Sequence, residues 1–181
     1  MALPPPPEPS TGRYDMVGRG TSDRMIYYYS LTGTCERIAT KLAERLHCST
    51  ERIVEKTKRP SRGPLRFLNG GAAAAGRASR IVACTNEPSR FDQIIVVTPV
   101  WAGSPTPAIR GFAKQYGNDL HGKTLGLVVV NLGSEPESAL AKCRKLFPEP
   151  LLTKSFTKAR GDWEETRQNE LIEEFVQDIQ R

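Results

Sequence analysis

Two spacings of apolar residues alternate along this chain, and the alternation predicts its architecture. Met25 to Tyr29 is a β-prone aromatic run, after which Ile38, Ala39, Leu42, Ala43 and Leu46 fall at helical spacing on one face. Residues 25–46 therefore predict a strand, a tight turn and a helix. Ser49–Lys56 carries Ile53 and Val54, enough for a short strand, and a strand reached through a helix pairs in parallel by a right-handed crossover. A short helix is expected over Pro64–Gly76, weakened in its middle by Gly70 and Gly71. Asp92–Thr98 is the next strand. Its unbroken Ile94–Val97 run indicates burial on both faces, as at the centre of a parallel sheet.

The second half repeats the pattern. Thr106 caps a helix that opens on Pro107 and turns Ile109, Phe112, Ala113 and Tyr116 inward. Thr124–Val130 is a fourth buried strand. Ser134 and Glu137 form a capping box ahead of a helix with Ala139, Leu140, Cys143 and Phe147 on its inner face. A last strand lies within Leu151–Phe156, and Asp162 with Glu165 caps a final helix burying Leu171, Ile172, Phe175 and Ile179. Five strands alternating with helices predict an α/β domain built on a parallel sheet.

Three loops that follow strands carry the candidate chemistry. In Ser30-Leu31-Thr32-Gly33-Thr34-Cys35, four of six residues bear a hydroxyl or thiol, one is glycine and none is charged. Such a loop, closing onto a helix N-terminus, offers a phosphate free N–H groups and a positive dipole end. A simpler role for Ser30 or Thr32 is to cap the helix, which takes one hydroxyl. The segment lacks the lysine of GxxxxGK[ST] and the three glycines of GxGxxG. The second loop, Thr98-Pro-Val-Trp-Ala-Gly-Ser-Pro-Thr-Pro107, is braced by three prolines and presents Trp101 at a strand's C-terminal edge, where open α/β sheets bind ligands. The third is Asn131-Leu-Gly-Ser-Glu135. Cys84 to Arg90 fits the C-x5-R pattern of cysteine-dependent phosphatases, but Glu87 repels an anion and Pro88 lacks an amide donor, so the segment is expected to be a turn.

Composition narrows the classes. The 181 residues suffice for one domain, and no run of 18 apolar residues is present to span a membrane. Residues 1–23 are Pro-rich with no signal-peptide pattern and are expected to be a disordered extension ahead of a domain over 24–181. The four cysteines form no CxxC pair, which suits reduced thiols in a cytoplasm, and the two histidines are too few for a zinc site. Net charge is +6, and it rises to +7 without the extension. A basic domain suits an acidic protein partner. The densest basic stretch, Arg52 to Arg66, lacks interleaved aromatics, so a nucleic-acid partner is not expected.

At S-L-T-G-T-C, TPVWAGSPTPAIRGF and NLGSE, each after a strand, the chain resembles the flavodoxin family over residues 24–181. The resemblance implies a doubly wound sheet of five parallel strands in the order 2-1-3-4-5, with FMN where the strand order reverses. It implies that Ser30, Leu31, Thr32, Gly33, Thr34 and Cys35 hold the phosphate. Thr98, Pro99, Val100, Trp101, Ala102 and Gly103 would then line one side of the isoalloxazine ring, with Trp101 against or near it. Asn131, Leu132, Gly133 and Ser134 would close the other. Cys35 stands where many members carry threonine, and a thiol is a weak donor. The basic charge also contrasts with the acidic surfaces of many electron-carrier flavodoxins. With no acid–base pair evident near the three loops, the expected function is electron transfer through FMN to a redox partner protein, by a monomer or homodimer. The alternatives are an NAD(P)H-dependent FMN or quinone reductase of the same fold and a flavin-free interaction module.

Overall fold

The computed structural model describes residues 23–60, 67–131, 136–149, 151–157 and 165–181. The N-terminal extension, the Ser134 and Asp162 caps and Leu132, Gly133 and Ser134 of the third loop lie outside them. The elements are β1 (Arg24–Tyr28), α1 (Thr34–Leu46), β2 (Ser49–Arg52), α2 (Phe67–Ala74), β3 (Gln93–Trp101), β4 (Ser104–Pro105), α3 (Pro107–Tyr116), β5 (Thr124–Asn131), α4 (Pro136–Arg144), β6 (Leu151–Thr157) and α5 (Glu165–Ile179). The sheet runs β2-β1-β3-β5-β6, all parallel, with β4 antiparallel on β3. Without β4 this is the expected 2-1-3-4-5 order. The five expected parallel strands are therefore all present, and β4 adds a two-residue antiparallel pairing to the end of β3.

Alternation along the central strands divides the core into two layers. Met25, Tyr27 and Tyr29, Ile94 and Val96, and Leu125, Leu127 and Val129 pack under α3 and α4. Ile26 and Tyr28, Ile95 and Val97, and Val128 and Val130 pack under α1 and α5. Phe112, Phe156 and Phe175 are fully buried in these layers, each worth about 1.5–3 kcal/mol relative to exposure. The helix faces read from spacing are the buried ones: Ile38, Leu42 and Leu46 of α1, Ile109, Phe112 and Tyr116 of α3, and Ile172, Phe175 and Ile179 of α5. Thr106 caps α3 as expected, accepting from the Ile109 N–H at 3.4 Å. Gly111 lets α3 press against the preceding chain, because a Cβ there would lie 2.2 Å from the Ser79 carbonyl oxygen.

Three boundaries differ from expectation. Strand β3 continues through Thr98, Pro99 and Val100 to Trp101, where a loop was expected. Val97 turns its carbonyl to the Tyr29 N–H, so alternation points the donor-less nitrogen of Pro99 past the end of β1. Strand β2 stops at Arg52, because the Ile53 N–H donates to Tyr28 and β1 then departs into its loop. Residues 53–56 instead pair antiparallel with 80–82, with N–H donation from Val82 to Val54 at 2.8 Å and from Lys56 to Arg80 at 2.9 Å. Helix α2, described over Phe67–Ala74, also ends before the expected Gly76, and the expected start at Pro64 lies outside the described residues.

Candidate functional site

The carboxyl ends of β1, β3 and β5 share one edge of the sheet, and strand order reverses between β1 and β3. Beside β1, the loop over residues 30–33 ends on Gly33, the N-cap of α1, at φ 89° and ψ −11°. This is the left-handed region, which glycine adopts without penalty. Among the described residues no side-chain cap bond closes the helix start, and its first backbone bond runs from the Arg37 N–H to the Gly33 carbonyl at 3.1 Å. The N–H groups of Thr34, Cys35 and Glu36 therefore precede the first helical bond. The capping role open to Ser30 or Thr32 is not used. The Ser30 hydroxyl accepts instead from the Gly33 N–H at 3.0 Å, pinning the turn.

Two side chains refine this loop. Cys35 lies in the core with Ile38 and Leu42, and burial pushes its thiol well above the ordinary range. With its weakly donating thiol turned into the core, Cys35 presents its N–H to the loop. Sequence reasoning missed Arg52, whose Nη2 donates to the Ser30 carbonyl at 2.6 Å and sets a cation behind the loop. Leu31 is half-buried, Thr32 is exposed and Thr34 is half-buried.

The second loop is a hairpin. Val100 faces Pro105 and Trp101 faces Ser104, across a turn at Ala102 and Gly103 with φ of 47° and 63°. The Lys142 ammonium donates to the Gly103 carbonyl at 3.0 Å, tying the tip to α4. Thr98 is buried and donates to the Pro99 carbonyl. Trp101 is half-buried against the α3/α4 layer. Its ring meets that of Tyr29 edge-on at 5.7 Å and lies 5.8 Å from the Arg59 guanidinium.

That guanidinium belongs to a network the sequence reading did not assemble. Arg59 Nε donates to both Glu55 oxygens at 2.8 and 2.7 Å, Arg59 Nη2 donates to Ser79 Oγ at 2.8 Å, and the Tyr29 hydroxyl donates to Glu55 at 2.6 Å. The pair is largely shielded from solvent, with side chains 6% exposed for Glu55 and 18% for Arg59. Burial, and then the Glu55 carboxylate, raise the Tyr29 phenol far above its ordinary range. The Glu-x-x-x-Arg spacing was the available signal. Of the third loop, Asn131 is described and is buried at the end of β5.

The C-x5-R segment is a turn closed by an internal anion. Glu51 accepts from the Thr85 N–H at 2.6 Å and from the Asn86 N–H and side-chain amide, both at 2.8 Å. Burial pushes the Cys84 thiol up to about 11, leaving it protonated at neutral pH. Both facts oppose phosphatase chemistry. Among the described residues no group of three or more His, Cys, Asp or Glu could hold a metal, and no helix is long and apolar enough to cross a membrane.

No protein-family model and no curated protein matches this sequence. Solved structures do. A flavoprotein of Lactobacillus acidophilus NCFM, crystallised with FMN, superposes with a TM-score of 0.61 at 17% identity, covering 74% of this chain and 91% of its own. A flavodoxin of Streptococcus pneumoniae TIGR4 gives 0.55 at 19% identity, covering 87% and 97%. With the observed strand order, these likenesses establish that the chain has the flavodoxin-like fold.

Proposed function

We propose that this chain binds FMN and works as an electron-transfer protein. One observation carries the reading: α1 begins without a side-chain cap, on a left-handed glycine, where strand order reverses. A phosphate ester fits there, because its oxygens accept from the N–H groups of Thr34, Cys35 and Glu36 at the positive end of the helix dipole. Among the described residues, nothing beyond its chain neighbours would lie within 4 Å of a Cβ at Gly33, so the space beside the loop is open to a ligand. Arg52 adds positive charge behind it. The hairpin at Thr98–Gly103, with Trp101, flanks the same edge and is rigid enough to orient a planar ring. Bound FMN would supply one- and two-electron chemistry, while the chain supplies position and electrostatics. The FMN held by the Lactobacillus acidophilus protein of this fold supports the reading.

The carrier reading, which needs no acid–base group, fits the state of Glu55. Both its oxygens are held by Arg59 and one also by Tyr29, so it is not free to act as a base at this edge. The test is reconstitution with FMN, followed by the visible flavin absorbance of protein retained after gel filtration. Colourless protein overturns the flavin reading. Anaerobic mixing with NADPH then separates the two flavin functions. Bleaching only after addition of a separate reductase is the expected result, and rapid bleaching by NADPH alone defeats the carrier reading.

A further inference from the structure

The charge of this molecule is concentrated in one segment. Residues 52–83 hold eight of the 26 basic residues and one of the 20 acidic ones, leaving 18 against 19 in the rest of the chain. The excess of positive charge thus belongs to the stretch that contains the two-stranded ribbon and α2. That one acid, Glu55, is turned inward and neutralised by Arg59.

The outer face of the ribbon follows from its register. Glu55 bridges Ile81, which places Val54 opposite Val82 and Lys56 opposite Arg80. Ile53 and Ile81 face the core, so alternation turns Arg52, Val54 and Lys56 outward on one strand and Arg80 and Val82 outward on the other. Val54 and Val82, each 47% exposed, are the exposed large hydrophobic residues among those described, and they stand side by side. Lys56 and Arg80 form no ion pair among the described residues. The face is an apolar pair framed by cations, and Arg52 joins it to the candidate cofactor loop through Ser30.

We infer that this ribbon face is a docking surface for an acidic protein. Cations around a small apolar centre steer an oppositely charged surface and then bury apolar area against it. Among the described residues the face carries no aromatic platform for stacking nucleic-acid bases, and two valines give little insertion into a bilayer. The inference rests on the electron-carrier reading only in expecting the partner to be a redox protein.

The experiment titrates the 15N-labelled full-length chain with an acidic [2Fe–2S] ferredoxin, both with and without FMN. Amide shifts should cluster at residues 52–56 and 80–82, and affinity should fall at least roughly tenfold between about 50 and about 300 mM salt. Lys56→Glu combined with Arg80→Glu should lower affinity roughly tenfold or more, and Val54→Ser several-fold, with unchanged melting temperatures. Shifts elsewhere, no binding, or tighter binding of these residues to a single-stranded oligonucleotide or to phosphatidylglycerol vesicles overturns the inference. Because docking is also read without FMN, failure of flavin binding leaves the result interpretable.

Discussion

The loop after β1 and the hairpin after β3 sit on one edge of the sheet, yet they are built in opposite ways. The first leaves its polar groups open: α1 is uncapped, Gly33 faces open space and the Ser30 hydroxyl serves only the turn. The second is closed on itself, with Trp101 against Tyr29 and Arg59, Gly103 tied to Lys142 and Thr106 spent on α3. An open loop carries little folding energy and is available for binding. A closed hairpin contributes to stability before any ligand arrives. Binding and folding defects should therefore separate between them.

The largest effect is expected at the open loop. Gly33→Val forces a β-branched residue to a φ near 89°, so the loop must rearrange and its amides lose their convergence. FMN affinity should fall by about 100-fold or more, while the apoprotein loses only about 1–2 kcal/mol of stability. Flavin fluorescence titration with thermal circular dichroism checks this. Normal affinity removes the loop from the proposed site.

On the closed side, Glu55→Gln should act chiefly on folding. It strands the Arg59 guanidinium with a neutral partner. Breaking a fully buried pair costs about 3–5 kcal/mol, and the partial exposure of Arg59 reduces the expected loss to about 2 kcal/mol. A smaller loss, about 1 kcal/mol, is expected for Trp101→Ala, which removes one aromatic edge contact and one cation–π contact. The same substitution should weaken FMN binding several-fold. Urea unfolding of the apoproteins beside FMN titration gives both numbers, and a Trp101 variant with unchanged stability would break the contrast.

The smallest effect is a pH dependence of the core. Cys84 and Cys143 are raised by burial from about 9 to about 11 and about 12. Their neutral forms contribute stability that is complete below pH about 9 and is lost as pH rises toward those values. At pH about 9 the loss is a few tenths of a kcal/mol per thiol, read as a falling urea midpoint. A midpoint that rises there contradicts the placement of these thiols.

Much of the scaffold was legible because apolar spacing is a local signal. Ile94–Val97, the α1 stripe and the Thr106-Pro107 cap each needed only a few neighbouring residues. The rest was tertiary. Pro99 suggested a loop, but a strand tolerates proline where its nitrogen faces no neighbour. Ser30 suggested a helix cap, but the turn at Gly33 consumed its hydroxyl. Trp101 stood out as a ligand platform, and the fold adds what spacing could not show, that Tyr29 and Arg59 pack against its ring.

Glu51 shows what such convergence can do to a motif. Its carboxylate occupies two amides and a side-chain donor of the Cys84–Arg90 turn. A ligand carried on the same chain acts at an effective concentration in at least the millimolar range. Free phosphate or sulfate must compete against that tethered guest. The turn consequently acts as a clasp joining β2 to the approach of β3, and its dipoles are withdrawn from rivalry with the helix start beside Gly33.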